Sequence, residues 1–431
     1  MTRRARVNLR TAALLLFLLP SAARAYTDDE LRAILLARPD TLPRQTGRLV
    51  LAHQMQLTVR SAGGLSSEDH ILEVIGPNLP PGSLQYRWTY RVGIDNMGEM
   101  VARIHRRSAT VETIPPESIR AEPCGAGGAQ GYPGLADMVI AVPKPTPGDV
   151  VEIKVVGVET GLFASNAECG EYNFAAGDSV VETELRILFP AASPLLIWRL
   201  GGLAPPREIT HAGLYEARWL LGHLGPAAPL ARTTTNLLTI QAPDTAGPPA
   251  VLFGHRMSWE EVVAARRSFW EKALSKNPEE LVTASREILA GHPDPGERLE
   301  AAIAWVDQRL ARLEIPATRL WFIPTSLQLV LDRGAAIPRD RAAVLVWLLR
   351  QLGLPADAAL VRSRPGCLED LAFPQQFDTW LVRAVAHPGE ERWIDLRSVR
   401  AEADPLPRGP ALLWTAREDQ PVLVRFPGIG G

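Results

Sequence analysis

Three cysteines are the residues of this sequence best suited to covalent chemistry. A cysteine thiolate attacks a carbonyl carbon when a histidine accepts its proton and a carboxylate orients that histidine. Cys367, His387 and Asp395 follow one another in this order along the chain. However, Pro and Gly surround both Cys367 (SRPGCLED) and His387 (AHPGEE), which indicates surface loops. A cysteine hydrolase or acyltransferase that uses this set is therefore an alternative function.

The other two cysteines are candidates for a disulfide bond. Cys124 lies in EPCGAGG and Cys169 in NAECGEY, and the Gly residues of both segments indicate loops of one region. In an oxidising compartment we expect these two residues to pair, which leaves Cys367 free. The sequence contains no CxxC or HExxH motif and its histidines lie far apart, so we expect no metal site and no cofactor.

The first 25 residues have the composition of a secretory signal peptide. They contain five arginines, no acidic residue, an apolar run of 13 residues from Thr11 and the small-residue site Ala23-Arg24-Ala25. The run is too short to span a bilayer, so cleavage before Tyr26 is expected to export the chain to the periplasm or out of the cell. Cleavage removes five of the 46 basic residues and none of the 48 acidic ones, which leaves a net charge of −7. Nucleic acid is therefore a poor partner.

Residues 26–255 show mostly the two-residue period of β-strands. In LQYRWTYRV, five apolar residues from Leu84 to Val92 alternate with polar ones and so share one face of a strand. The turn-like segment DNMG from Asp95 and the run MVARIHRR after it predict a hairpin. Further strands are predicted at Asp137 (DMVIAV), Val150 (VVEIKVV), Val180 (VVETELRILF) and Leu214 (LYEARWLL). Because turn residues separate these short strands, we expect a β-sandwich-like region.

Near Ser258 the period changes to that of helices, so residues 256–431 are predicted to form an α+β domain. Ser258 and Glu261 have the spacing of a capping box at the start of SWEEVVAARRSFWEKAL. Two further helices precede RDRAAVLVWLLRQLGL, an apolar helix that we expect to be buried and to end at Gly353. Strands follow in ADAALVRS, FDTWLVRAVA and ERWIDLRS. The predicted fold class is multidomain, β followed by α+β.

The order of these segments resembles that of exported bacterial proteins in which a DUF3857-like β region precedes a transglutaminase-like domain of the papain-type cysteine superfamily. The N-terminal resemblance rests on TIPPESIRAE, VPKPTPGDVVEIKV and LRILFPA, and MSWEEVV marks the junction. The C-terminal resemblance rests on IAWVDQRL, LVLDRG, FDTWLVRAV and RWIDLR. Together these segments extend over most of the chain after residue 25.

The resemblance implies where a catalytic triad would lie, and two of its three positions have the wrong side chains. The family's cysteine begins the buried helix, where Pro338 stands here, and its histidine corresponds to Thr379. Only Asp395 matches. Proline has no nucleophilic group, and a threonine hydroxyl is not a general base near neutral pH. We therefore expect that the catalytic residues are lost and that the protein is not an enzyme.

A former substrate cleft would remain as a binding groove. The side chains expected to line it are those of Trp321, Arg339, Thr379, Trp393 and Asp395. Trp380 alternates with Thr379 and should point to the opposite, buried face. The leading hypothesis is an exported, non-catalytic binding or scaffolding protein whose partner is a protein or peptide of the cell envelope. A purely structural envelope protein is a further alternative.

Overall fold

The computed structural model of the chain describes several stretches separated by gaps. They are residues 28–36, 47–60, 64–79, 84–92, 95–124, 135–159, 169–174, 180–192, 195–200, 202–211, 213–224, 249–254, 257–313, 322–362, 372, 374, 377, 379–396, 409–415 and 422–426. The chain divides into two compact units, 1–42 and 43–431. In the first unit, the described part is helix α1 (Asp28–Leu36). The predicted signal peptide lies outside the described residues.

The N-terminal part of the second unit consists of strands. They are β1 (Arg48–Val59), β2 (Leu65–Ile75), β3 (Gln85–Arg91), β4 (Asp95–His105), β5 (Val111–Thr113), β6 (Ile119–Pro123), β7 (Leu135–Ala141), β8 (Val150–Glu159), β9 (Cys169–Asn173), β10 (Val180–Pro190), β11 (Leu196–Leu200), β12 (Arg207–His211), β13 (Leu214–Leu224) and β14 (Ala250–Gly254). The strands predicted at Asp137, Val150, Val180 and Leu214 are confirmed as β7, β8, β10 and β13.

One long sheet organises this region. Within the described residues its strand order is β12-β13-β10-β1-β2-β8-β4-β5, and its strands are antiparallel except for the pair β1 and β10. Two three-stranded antiparallel sheets, β11-β14-β9 and β3-β7-β6, accompany it. The observed strand content agrees with the predicted β-rich N-terminal region.

Both small sheets pack against the same face of the long sheet. Leu65 of β2 belongs to the hydrophobic core under β11-β14-β9, and Ile75 belongs to the core under β3-β7-β6. These two residues are ten positions apart on one strand, so their side chains point to the same side. The result is a two-layer arrangement in which one broad sheet supports two small ones.

The predicted hairpin from β3 to β4 is wrong. Strand β3 pairs with β7, whereas β4 pairs with β8, with an irregular register between Met97 and Met100 where the turn was expected. Tyr86 and Trp88 of β3 instead pack in one core with residues of β4. An apolar strand face can be buried by an opposite layer as well as by a neighbouring hairpin, so alternation alone does not identify the strand's partner.

Helices and a second set of strands form the C-terminal part. The helices are α2 (Trp259–Leu274), α3 (Glu279–Gly291), α4 (Pro295–Arg309), α5 (Leu327–Arg333) and α6 (Pro338–Gln351). The strands are β15 (Ala311–Arg312), β16 (Ala335–Ala336), β17 (Ala356–Val361), β18 (Thr379–His387), β19 (Glu390–Asp395), β20 (Gly409–Leu413) and β21 (Leu423–Phe426). In the part of the chain described, the last five form one antiparallel sheet ordered β19-β18-β17-β20-β21.

The start of α2 and the end of α6 have the capping residues that the sequence predicts. The hydroxyl of Ser258 accepts a hydrogen bond from the backbone N–H of Glu261, and the Glu261 carboxylate accepts one from the N–H of Ser258 at 2.7 Å. This reciprocal pair confirms the capping box. Helix α6 is followed by Gly353 in the left-handed conformation, with φ of 76°, which a residue without Cβ adopts at little cost.

Helix α6 forms the centre of the C-terminal core. Its side chains are buried from Arg339 to Leu349, and it packs against α4, β17 and β18. An apolar helix without a polar face is stable only when neighbouring elements surround it. None of the described helices combines the length and the apolar composition needed to cross a membrane.

Candidate functional site at the first turn of helix α6

The first turn of α6 contains a buried ion pair. Pro338 occupies the first helical position, where a missing N–H costs no helical hydrogen bond. Arg339 donates from Nε to Oδ1 of Asp340 at 2.8 Å and from Nη2 to Oδ2 at 3.0 Å. The side chains are only 1% and 0% exposed, respectively. The position that the resemblance assigns to a nucleophile is therefore next to a two-point charge pair.

The segment before α5 completes this pair. The backbone N–H of Thr325 donates to Oδ1 of Asp340 at 2.9 Å, and Nη2 of Arg339 donates to the Thr325 hydroxyl at 3.2 Å. The carboxylate also lies in the first turn of the helix, where the partial positive charge of the helix terminus favours an anion. These contacts compensate the negative charge of Asp340 inside the protein.

Burial acts on both members of the pair. It raises the pKa of Asp340 well above its ordinary value and lowers the pKa of Arg339 to about 9. A guanidinium nevertheless keeps its proton at neutral pH, and the two-point contact gives each charge its counter-charge. We therefore describe Arg339 and Asp340 as an ion pair whose cost of burial is offset by their mutual attraction.

A second arginine, Arg341, connects the same turn to α4 by hydrogen bonds. Arg341 is 1% exposed, and it donates from Nη2 to Oδ1 of Asp307 at 2.9 Å and from Nη1 to the backbone carbonyl of Leu310. The carbonyl at the end of α4 thereby gains a donor that the helix itself does not supply. Three consecutive charged residues thus anchor the start of α6 to its neighbours.

The N-terminal β region covers the start of α6. Cys124 and Leu135, at the ends of β6 and β7, form one hydrophobic cluster with Ile337, the residue before Pro338, and with Leu313. The contact places apolar side chains of a three-stranded sheet against the helix entry. The residue before Pro338 is therefore buried against the N-terminal β region.

The predicted disulfide between Cys124 and Cys169 is not formed in the structure. Cys124 has a free thiol that is 3% exposed, and it lies at the end of the β3-β7-β6 sheet, whereas Cys169 begins β9 in the other small sheet. Burial and the nearby Asp137 carboxylate raise the pKa of the Cys124 thiol to about 12. Cys124 is thus held as a thiol and not as a reactive thiolate.

Thr379 and Asp395 are close to each other on one face of the C-terminal sheet. Leu381 of β18 pairs with Asp395 of β19, and Thr379 is two residues before Leu381, so all three side chains point to the same side. Trp393 shares this side and is only partly buried. Trp380 points to the opposite face and is fully buried in the core with α6, as predicted.

The predicted lining residues offer little surface to a ligand. Arg339, Thr379 and Asp395 are all buried, and Trp393 is partly buried, with its indole N–H donating to Glu391 at 2.7 Å. Trp321 lies outside the described residues. Apart from Trp393, the described members of the predicted groove therefore act as internal residues.

The alternative set of Cys367, His387 and Asp395 is not assembled. Cys367 lies outside the described residues. His387 pairs with Glu390 at the end of β18, six residues from Leu381, which is opposite Asp395. At about 3.3 Å per residue, His387 and Asp395 are about 20 Å apart along the sheet. Asp395 therefore cannot orient the His387 ring; the nearest described carboxylate is that of Asp294, at 3.7 Å.

A polar chain within the N-terminal region was missed by the sequence analysis. Nε2 of His53 lies 2.8 Å from Oδ1 of Asp69, and Nδ1 lies 3.2 Å from the hydroxyl of Tyr172. Trp88 donates its indole N–H to Oδ2 of Asp69 at 3.4 Å, and the hydroxyls of Tyr172 and Thr183 lie 3.2 Å apart. Because Asp69 accepts at both oxygens, we place the proton of a neutral His53 on Nε2.

This chain links both small sheets to the long sheet. Trp88 belongs to β3 and Tyr172 to β9, while Asp69 and His53 lie on β2 and β1. Burial raises the pKa of Tyr172, so its hydroxyl stays protonated. A sequence signal was present: Ser67 and Asp69 are polar residues at positions of β2 that point into the core, where apolar residues are the rule.

Comparison with known proteins identifies a similar fold. No protein-family model and no curated protein sequence matches the chain. A crystal structure from Parabacteroides distasonis, provisionally described as a protease, has a TM-score of 0.68 at 15% identity, over 86% of this chain and 71% of that one. At this identity the likeness shows the fold alone.

Two peptidases match more weakly. The M1 zinc metallopeptidase of Deinococcus radiodurans is 14% identical over 49% of this chain and 43% of its own, with a TM-score of 0.25. Legionella pneumophila aminopeptidase A is 10% identical over 56% of this chain and 28% of its own, also with a TM-score of 0.25. The chain spans less than half of either peptidase.

Proposed function

We propose that this is an exported, non-catalytic binding or scaffolding protein. It joins a DUF3857-like β region (26–255) to a degenerate transglutaminase-like domain (256–431), and its partner is a protein or peptide of the cell envelope. The observation that carries the proposal is the buried pair of Arg339 and Asp340 beside Pro338. A helix start with this composition has no thiol for the helix terminus to activate.

Two further observations support the absence of acyl transfer at this place. Cys124 and Leu135 of the β region cover the entry of α6, so a peptide carbonyl meets apolar side chains there. Cys124 itself is held as a buried thiol with a pKa of about 12. The likeness in fold to the Parabacteroides protein fits an enzyme-type scaffold, but the chemistry of a scaffold is decided by its side chains.

A direct test measures both activity and thiol reactivity. The purified protein is incubated with fluorogenic peptide amides and with an amine donor plus a glutamine peptide, beside a papain-type enzyme as positive control. We expect no product above the buffer blank. In parallel, alkylation at several pH values is read by peptide mass spectrometry, and we expect Cys124 to react slowly because it is buried.

One outcome would reverse the proposal in favour of a cysteine hydrolase or acyltransferase. That outcome is turnover by the wild type that disappears in Cys367→Ser, together with rapid alkylation of Cys367 at mildly acidic pH. The Cys124→Ser variant serves as the matched control, because it removes a thiol of the same chain that the structure holds away from solvent. A purely structural protein would show neither turnover nor binding of any envelope peptide.

A further inference from the structure

An open groove lies between α3, α4 and α5, away from the first turn of α6. Its volume is about 520 Å³, and the residues that line it are Glu279, Glu280, Thr283, Ala284, Glu287, Trp305 and Gln328. This volume is in the range of sites that hold several side chains of a ligand. From the sequence, Trp305 was expected at an apolar helix position that packs in the core, and the glutamates were not singled out because helix surfaces rich in glutamate are common.

The most buried lining residues are Ala284 and Trp305. Ala284 is 3% exposed, and Trp305 is partly buried with its ring packed against the core of the C-terminal part. The indole therefore has a fixed position while part of its surface stays open to the groove. A fixed aromatic surface attracts cations and costs little conformational entropy when a ligand binds.

The carboxylates at the groove differ in their partners. Glu280 is held by Arg309, whose Nη2 lies 3.1 Å from Oε2 and which also donates to the carbonyl of Leu331 at 2.7 Å. Among the residues that the structure describes, no hydrogen bond or ion pair engages the side chains of Glu279 and Glu287. Glu280 thus has a structural role, whereas the carboxylates of Glu279 and Glu287 are exposed to solvent.

The two carboxylates that no described side chain engages have a definite spacing. Glu279, Thr283 and Glu287 follow one another every four residues on α3, so they lie along one side of the helix. At 1.5 Å per residue, Glu279 and Glu287 are about 12 Å apart along the axis. In an extended peptide, residues four positions apart are separated by about 13 Å and point to the same side.

We propose that this groove binds an extended basic peptide segment whose Arg or Lys residues alternate with small ones. The outer two cations pair with Glu279 and Glu287, and the middle cation lies on the indole of Trp305. The net charge of −7 expected for the exported chain favours the approach of such a segment. This inference rests on the proposed binding function and names the chemistry of its partner.

The test uses the purified protein and a fluorescein-labelled pentapeptide, Arg-Ser-Arg-Ser-Arg, with binding read by fluorescence anisotropy at low and at physiological salt. A peptide of the same composition with three adjacent arginines is the matched ligand control. We expect the alternating peptide to bind more tightly by at least about threefold, and both affinities to fall as salt rises.

Variants assign the binding to the groove. Glu279→Gln/Glu287→Gln is expected to weaken binding at least about tenfold, and Trp305→Leu, which keeps an apolar side chain, about threefold. Glu260→Gln/Glu271→Gln removes the same charge from exposed positions of α2 and should leave the affinity unchanged. Melting temperatures of all variants establish that each is folded.

Three results would overturn the inference. The first is no binding of the alternating peptide, and the second is an equal loss of affinity in both double variants. The third is that spermidine displaces the labelled peptide as effectively as the unlabelled pentapeptide does, because the groove would then select charge alone.

Failure of this inference is distinguishable from failure of the proposed function. If the pentapeptide does not bind and the protein has no turnover, the groove proposal fails alone. If Cys367-dependent turnover appears, the non-catalytic proposal fails whatever the groove binds.

Discussion

Helix α6 and strand β2 are both buried along most of their length, yet they contain charge in different ways. In α6 the buried charged residues are confined to the first turn, and buried apolar residues follow as far as Leu349. In β2 the buried titratable residues are spread along the strand and point to both sides, with Asp69 and Glu73 on one face and His70 on the other. The two elements therefore place their buried charged groups differently: at one end in α6, and along the whole strand in β2.

The difference arises from where backbone donors are available. A helix start has unpaired N–H groups and a partial positive charge, so one carboxylate and one guanidinium can be placed there together. A strand inside a sheet uses its N–H groups in the ladder, so each buried carboxylate needs its own side-chain donors. Asp69 has His53 and Trp88, and Glu73 has Tyr86 and Arg48.

The largest loss of stability is expected when the ion pair between Arg339 and Asp340 is broken. Asp340→Ala leaves the guanidinium of Arg339 buried without its counter-charge, so the free energy of unfolding should fall by about 3–5 kcal/mol. Urea titration of the purified protein measures this loss. The double variant Arg339→Met/Asp340→Leu removes both charges and should lose less than about half as much. If both variants lose the same amount, the pairing contributes nothing beyond the volume of its side chains.

The next effect depends on pH and concerns buried residues on the face of the long sheet opposite the two small sheets. Nε2 of His70 and of His105 lie 3.1 Å and 2.9 Å from the two oxygens of Glu152. Burial opposes ionisation of Glu152 most strongly, but the hydrogen bonds from His105 and His70 prevail and lower its pKa to about 2.

A carboxyl group whose pKa is lower in the folded than in the unfolded state stabilises the folded protein at pH values above the unfolded-state pKa. This stabilisation is lost as the pH falls towards the folded-state pKa. The pKa of Glu152 falls from its ordinary value of 4.5 to about 2, which corresponds to about 3 kcal/mol in the free energy of unfolding. Glu152→Gln should therefore differ from the wild type most at pH 6 and least near pH 2. Melting temperatures of both proteins over this range measure the difference, and a gap that does not narrow on acidification would contradict it.

A smaller loss is expected from the chain on β2. Asp69→Ala leaves the ring N–H of His53 and the indole N–H of Trp88 without their acceptor, which should cost about 2 kcal/mol of unfolding free energy. Asp69→Asn keeps one acceptor oxygen and should cost clearly less. Urea titrations of the two variants provide the comparison. Equal losses would show that the negative charge, and not the number of acceptors, is what matters.

The smallest effect is expected at the hydroxyl that joins this chain to β9. Tyr172→Phe removes hydrogen bonds between neutral groups but keeps the ring, so stability should fall by about 1 kcal/mol. Combination with Thr183→Val in a double-mutant cycle measures the coupling between the two hydroxyls. Strictly additive losses would indicate that the 3.2 Å contact between them has no energetic role.

Local elements of this protein were predictable because their causes are local. The capping box at Ser258 depends on two residues three positions apart, and the alternating runs at Val150 and Val180 each specify a strand. The residue type at Pro338 was also readable from the sequence alone, and a proline side chain has no nucleophilic group whatever the fold. By contrast, the partner of β3 was predicted wrongly, because the same apolar face serves a hairpin or an opposite layer.

The amino-acid sequence by itself determined the residue types at the first turn of α6, the alternation of the strands and the net charge. Only the tertiary structure decided that Arg339 and Asp340 are buried together, that His387 is far from Asp395, and that Trp305 lines the same groove as Glu279 and Glu287. The physical reason is that burial and pairing of a charge depend on residues distant in the chain, which the fold brings into contact and a sequence pattern does not.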